Sequence, residues 1–269
     1  MTSVKNDKCH SISYKRHIAI KFPQCYNNKK EKFCRKDTSG TQYLASCFRQ
    51  VNTMDNLMYR TIRFVCKPLF TVLYRPKIIG AENIPERGGA VLAGNHMHAL
   101  DPILIDVSTK RIVRTLAKSE LFEGFWGFIF RGVAAIPVDL HAKKNPAALN
   151  AAIEALKNGS LINLSPEAKR NYTEYLLLPF KYGAVSMADK TKTPIIPYAI
   201  AGRYIPLGGL TVKFGKPFYT TSDLREDNKR LYEEITRLLL EISPHTQKTV
   251  RSFEEWESET AEQRLTPNN

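Results

Sequence analysis

The period of apolar and polar positions along the 269 residues changes several times, and each change marks an element. Short, mostly apolar runs at Lys77–Ile79, Ala90–Ala93, Ile112–Leu116, Ala134–Val138, Leu161–Leu164, Pro194–Ile200 and Leu210–Phe214 have the length of strands. Turn residues such as Pro85, Gly88 and Gly89 separate the first two. Asn145-Pro146 reads as an N-cap followed by proline at the first helical position. It opens a helix over Ala147–Lys157 that stops at Asn158-Gly159. Gly183–Lys190 and the long amphipathic stretch Glu226–Ile242 read as further helices. Strands alternating with helices predict a single α/β domain with a central mixed β-sheet flanked by helices.

Upstream of the first strand, residues 57–74 (LMYRTIRFVCKPLFTVLY) have a different pattern. At about 100° per residue, Met58, Ile62, Val65, Leu69, Val72 and Leu73 share one arc, with Arg60, Arg63 and Lys67 nearly opposite. A helix of this kind suits a membrane interface, its cations toward anionic headgroups. The pattern fits equally a helix packed on its own domain with a solvated basic face, and Pro68 is expected to kink it. A spanning helix needs roughly 20 mostly apolar residues. Residues 57–74 carry three basic side chains, and 121–130 (LFEGFWGFIF) is too short, so no span is predicted. The expected organisation is a basic, poorly ordered extension over 1–53 and an amphipathic interface helix over 54–76. The main domain follows over 77–242, and then a polar, partly loose tail over 243–269.

Composition adds a charge. With 43% hydrophobic and 25% charged residues the chain is globular, while 40 basic against 26 acidic residues give a net +14. The imbalance favours an anionic partner: nucleic acid, an anionic membrane surface or a phosphorylated substrate. It is strongest in residues 1–53, which hold 11 Lys/Arg and 3 Asp/Glu. Four of the five cysteines (Cys9, Cys25, Cys34, Cys47) lie there at spacings unlike a zinc site, and Cys66 stands alone. Nothing in these positions reads as a disulfide framework, so a reducing compartment is expected.

Two clusters carry candidate chemistry. Asn95-His96-Met97-His98-Ala99-Leu100-Asp101-Pro102 follows the strand at Ala90–Ala93, where the sites of α/β sheets tend to lie. Across a strand-to-helix turn, Asp101 can accept from one nitrogen of His96 and leave the other as a base. Asp101-Pro102 is also a good helix start, and a carboxylate can serve both purposes. His96, His98 and Asp101 could instead ligate a metal, but no acidic or histidine cluster accompanies them. The second cluster, Ser165-Pro166-Glu167-Ala168-Lys169-Arg170, follows the strand at Leu161–Leu164. Lys169 and Arg170 suit a phosphate, and Glu167 suits an arginine or a substrate hydroxyl. A solvated charged turn is the alternative.

In this order and spacing the clusters resemble the PlsC-like glycerolipid acyltransferases, typified by 1-acyl-glycerol-3-phosphate (lysophosphatidate) acyltransferases. The family's N-H-x4-D motif is matched by Asn95, His96 and Asp101, and its F-P-E-G-T-R motif at Pro166, Glu167 and Arg170. Residues 117–140, 177–184 and 193–200 resemble the connecting and fourth blocks. Ser165, Ala168 and Lys169 stand where the family usually has Phe, Gly and Thr, and Leu140 where its second block ends in Arg. Lys143 or Lys144 is a candidate for compensating charge.

The resemblance implies that 77–242 is an acyltransferase domain with His96 and Asp101 as the catalytic pair. Glu167, Lys169 and Arg170 would bind substrate, with no metal and no cofactor. Acyl-CoA or acyl-carrier protein would donate to a lysophospholipid, most simply 1-acyl-glycerol-3-phosphate, giving phosphatidic acid. The protein would sit as a peripheral (monotopic) protein on an anionic membrane, on its cytoplasmic face. Two other classes compete. A basic nucleic-acid-binding protein is suggested by charge alone, since no nucleic-acid motif is present. A catalytically inactive membrane scaffold is suggested by the altered Glu167–Arg170 segment. The aromatic run Phe122, Phe125, Trp126, Phe128 and Phe130 is a candidate acyl-chain lining, with core packing as the plainer role for half of it.

Overall fold

Strand-length apolar runs need neighbours to pair with, and here seven of them supply one another. The structure is a computed structural model that describes residues 40–139 and 145–265. The chain divides into Met1–Ser46 and Cys47–Asn269, and the sheet lies in the second unit. Its strands are β1 (Lys77–Ile79), β2 (Ala90–Gly94), β3 (Val113–Lys118), β4 (Ile136–Val138), β5 (Leu161–Leu164), β6 (Ile195–Ala201) and β7 (Thr211–Phe214). They lie in the order β1-β7-β6-β2-β5-β3-β4. Neighbours are parallel except β6 and β7, so the sheet is mixed. The return from β6 to β7 needs Gly202, whose φ of 97° is open to glycine and whose added Cβ would lie 2.4 Å from the Gly209 carbonyl oxygen.

The helices are α1 (Gly40–Tyr74), α2 (Asp101–Val107), α3 (Gly124–Gly132), α4 (Pro146–Lys157), α5 (Gly183–Thr191), α6 (Leu224–Ile242) and α7 (Phe253–Leu265). Strand alternation sorts them into two layers. Val91 and Ala93 of β2 face a cluster with Ile162, Ile195, Leu156 of α4, Met187 of α5 and Leu231 of α6. Ala90 and Leu92 face the opposite cluster, with Ile196, Leu104 and Ile105 of α2, and Phe70 of α1. Each fully buried Leu or Ile contributes roughly 1.5–3 kcal/mol. β2 is buried on both faces and forms the centre of the domain.

Three expectations change. The first concerns Asn145, which precedes Pro146 but does not cap α4 with its side chain. Its amide instead brackets Asp139, accepting from the Asp139 N–H at 3.1 Å and donating to the Asp139 carbonyl at 2.7 Å.

The second concerns the tail. In the stretch expected to be polar and partly loose, α7 buries Phe253 and Trp256 in the core. The Arg251 guanidinium lies 4.2 Å from the Tyr175 ring centre and 4.5 Å from that of Trp256. Thr249 exchanges 2.8 Å backbone bonds with Glu174 and Leu176.

The third concerns α1, which starts at Gly40 and continues through Pro68 to Tyr74. Its inward side is the one with Tyr59, Arg63, Phe70 and Tyr74. Tyr59 and Phe70 are buried, and Arg63 donates to the Arg111 carbonyl at 2.8 Å and lies 3.6 Å from Asp106. Arg63 therefore does not point at headgroups: a long guanidinium reaches a carboxylate and a free carbonyl inside the domain. Outward stands an apolar ridge of Leu57, Phe64, Val65, Leu69 and Val72, with Phe64 82% exposed. Among the described residues no helix is long and apolar enough to cross a membrane.

Candidate active site

Parallel pairing explains why clusters 70 residues apart in sequence meet. β5 and β6 both run parallel to β2, with Ala93 opposite Leu164 and Gly94 opposite Tyr198. Their C-terminal ends therefore release three loops on one edge: Asn95–Leu100, Ser165–Phe180 and Gly202–Leu210. This edge is where α/β sheets tend to place their sites.

Asn95 ends β2. Its buried side chain imitates a further peptide unit, donating to the Ile200 carbonyl at 3.0 Å and accepting from the Ile200 N–H at 2.8 Å. Gly94 just before it leaves room for the Tyr198 ring, which an added Cβ would meet at 2.2 Å. The chain then turns and presents His96, whose Nδ1 lies 2.8 Å from Asp101 Oδ2. The His96 side chain is 28% exposed, that of Asp101 4%. Facing a carboxylate, Nδ1 is the donor, which leaves Nε2 as the basic nitrogen.

The choice left open for Asp101 is settled by its partners: it does not cap its own helix. Oδ2 also accepts from the N–H groups of Met97 (2.8 Å) and His98 (2.9 Å), holding the loop that carries His96. Oδ1 accepts from the Tyr204 hydroxyl at 2.6 Å.

The second cluster clamps the same histidine from behind. Glu167 is buried, and its Oε1 accepts from the His96 N–H at 3.0 Å while Oε2 accepts from the Leu178 N–H at 2.9 Å. The Asn171 N–H closes the bracket on the His96 carbonyl at 2.9 Å. Burial pushes the Glu167 carboxyl up to about 7, against the pull of those two backbone donors. Glu167 thus holds backbone, whereas Lys169 and Arg170 stand exposed beside it, Arg170 5.5 Å from the Tyr172 ring centre. The turn between them puts Ala168 at φ 57°, the left-handed region, where the related motif usually has glycine. Ser165 Oγ, where that motif has Phe, is buried with no hydrogen-bond partner.

The expected site residues His96, Asp101, Glu167, Lys169 and Arg170 thus come to one edge. Leu140, Lys143 and Lys144 lie outside the described residues, as do the side chains of Phe125, Trp126 and Phe128. Phe122 and Phe130 tilt against each other with ring centres 5.8 Å apart. His98 does not share a ligand set with His96: its ring stacks on Tyr204 at 4.5 Å and its Nδ1 accepts from the Leu100 N–H at 3.2 Å. No group of three or more His, Cys, Asp or Glu side chains poised to hold a metal occurs among the described residues. The sequence pattern does not point to Tyr204, which sits in a glycine- and proline-rich loop with no periodicity to single it out.

Known proteins resemble this chain in sequence and fold. Residues 75–201 match the family model described as Acyltransferase. The chain is similar to the 1-acyl-sn-glycerol-3-phosphate acyltransferase of Bacillus subtilis (strain 168), 29% identical over 147 residues that cover 54% of this chain and 72% of that one. It is similar in structure to the crystal structure of the 1-acyl-sn-glycerophosphate (LPA) acyltransferase, PlsC, from Thermotoga maritima. There the TM-score is 0.57 and the identity 26%, covering 77% of this chain and 92% of the other. With the motifs in order, residues 75–201 form an acyltransferase domain, built on a fold similar to that of the PlsC enzyme.

Proposed function

We propose that this acyltransferase moves a fatty acyl group from a thioester, acyl-CoA or acyl-carrier protein, to the free hydroxyl of 1-acyl-glycerol-3-phosphate, giving phosphatidic acid. His96 Nε2 takes the hydroxyl proton, and the oxygen attacks the thioester carbonyl. As the tetrahedral adduct collapses, the C–S bond breaks and the imidazolium returns its proton to the leaving thiolate. No acyl-enzyme and no cofactor enter. Asp101 holds the ring in the productive tautomer and offsets its charge once protonated. General-base help of this kind is worth roughly 10²–10⁴ in rate.

The observation that carries the reading is the 2.8 Å contact between His96 and Asp101 beside two exposed cations. Lys169 and Arg170 are the residues for the acceptor phosphate, Arg170 through its planar fork. Glu167 serves by holding the His96 backbone, since both its oxygens already accept bonds there.

Lipid substrates require the site to work at a bilayer. The ridge of Leu57, Phe64, Val65, Leu69 and Val72 is the surface for a peripheral attachment to an anionic leaflet, in preference to nucleic acid. Apolar contact is insensitive to salt, while attraction by basic residues is screened. Sedimentation with anionic liposomes is therefore expected to weaken in high salt without disappearing, and alkaline carbonate is expected to release the protein. Phe64→Ser with Val65→Ser and Leu69→Ser is expected to abolish sedimentation, and unchanged binding would move the attachment elsewhere. For the chemistry, purified protein is incubated with acyl-CoA or acyl-carrier protein and a panel of lysolipids, and products are read by mass spectrometry. Phosphatidic acid from the phosphorylated acceptor is the expected product. Preference for a neutral lysolipid would overturn the acceptor assignment.

A further inference from the structure

Beyond the two residues of the motif, we infer that Tyr204 is a positioning residue that fixes Asp101, and through it the base His96. The inference rests on the reading of His96 as that base.

The geometry is specific. A carboxylate has two oxygens, and in Asp101 both are committed. Oδ2 faces His96 Nδ1 and the Met97 and His98 amides, while Oδ1, among the described residues, accepts from the Tyr204 hydroxyl alone, at 2.6 Å, the length of a charge-assisted bond. Without that bond the carboxylate is held through Oδ2 alone, and the orientation of its plane, which sets the direction of the bond to the imidazole, loses its second anchor. The hydroxyl is a dependable donor, since burial and then the Asp101 charge push its ionisation far above the ordinary tyrosine range.

Tyr204 is held as firmly as the group it holds. His98 stacks on its ring at 4.5 Å with planes 20° apart. From α1, Tyr74 and Phe70 meet the same ring edge-on at 5.8 and 6.4 Å, and are 4.7 Å from each other. The residue thus joins three segments distant in sequence: the β6–β7 loop, the loop after β2, and the end of the helix that bears the exposed ridge. His98, which has no hydrogen bond to His96, acquires a role as one wall of this aromatic seat.

The bond also shares the charge of Asp101. Besides His96, the titratable groups around that carboxylate, among the described residues, are Tyr204 on Oδ1, His98 in the same loop and Tyr198 from β6, with Glu167 on the far side of His96. Of these, only Tyr204 donates a side-chain hydroxyl to it. Tyr204→Phe keeps the ring and its stacking, removes the donor, and leaves more of the carboxylate charge facing the imidazolium.

The test compares Tyr204→Phe, Tyr204→Leu and His96→Ala with the wild type in the acyl-transfer assay. Tyr204→Phe is expected to lower kcat about tenfold, with KM for donor and acceptor changed less than about twofold. The acid limb of its kcat profile moves to higher pH. Tyr204→Leu, which also empties the aromatic seat, falls further and loses thermal stability. Wild-type kcat in Tyr204→Phe, beside an inactive His96→Ala, would overturn the role of Tyr204 alone. A fall in kcat with the acid limb unmoved would assign the effect to packing and equally overturn it. Activity retained in His96→Ala would instead sink the assignment of the base on which the inference rests.

Discussion

The short helix α2 carries a carboxylate at each end, and the two are built for different work. Asp101, in its first turn, receives His96 Nδ1, two loop amides and the Tyr204 hydroxyl. Asp106, in its last turn, receives the Tyr59 hydroxyl and lies 3.6 Å from Arg63 Nε, both groups of α1. Each has a tyrosine on Oδ1. At one end the remaining donors belong to a loop that offers a part-exposed imidazole; at the other they belong to a packed helix. Burial of a carboxylate alone does not mark a site. What marks it is the freedom of the groups its donors are attached to.

Breaking the comparison is direct. Asp101→Asn replaces an acceptor by an amide that must turn a donor toward other donors, and is expected to lower kcat by about 10²–10⁴ while the fold persists by circular dichroism. Asp106→Asn, away from the chemistry, is expected to leave kcat within about twofold. Similar losses from both would show that α2 acts as one structural unit and that the two ends do not differ.

A second contrast lies in stability against pH. Burial pushes Asp106 from an ordinary value of 3.8 up to about 7. Between those values the folded protein keeps a proton that the unfolded chain has lost, so the free energy of unfolding falls as pH rises through the window. Glu167, raised to about 7 by the same cause, adds a slope of the same sign. Urea titrations from pH 4 to 7 are therefore expected to show declining stability in the wild type and roughly half that decline in Asp106→Asn. An identical slope in the variant would deny Asp106 its share.

The smallest expected effect sharpens the picture of the second loop. Ala168 adopts a left-handed backbone conformation at φ 57°, which costs a non-glycine residue about 1–2 kcal/mol. Ala168→Gly is expected to raise the unfolding free energy by about 1 kcal/mol or less, after the added freedom of glycine in the unfolded chain. Destabilisation would mean that the Ala168 methyl packs against its surroundings.

Much of this was legible in the sequence. The apolar runs at Ala90–Ala93 and Leu161–Leu164 are strands, and their following loops hold His96 and Glu167 as the spacing suggested. What periodicity could not say is which side of a helix faces out. The wheel for 57–74 set the basic residues opposite the apolar arc, yet the domain took the side with Arg63 and left Val65 and Leu69 outside, because that side also carries Tyr59 and Phe70, which are buried. For α7 the signal was too thin. Phe253 and Trp256 stand among acidic residues, and they dock against Tyr175 and Tyr232, partners distant in sequence. Glu167 and Tyr204 reach their partners across 71 and 103 positions, through strand pairing that no local pattern encodes.

The central claim is that His96 is the base for acyl transfer and that His98, its neighbour by two positions, is not. The most direct measurement is the initial rate of phosphatidic acid formation by purified His96→Ala and His98→Ala proteins, each confirmed as folded. His96→Ala is expected to lose about 10²–10⁴ in rate, while His98→Ala, a wall of the Tyr204 seat, keeps a substantial part of the activity. Equal loss from both, restored by added zinc, would contradict the claim and replace the His96–Asp101 pair with a metal site.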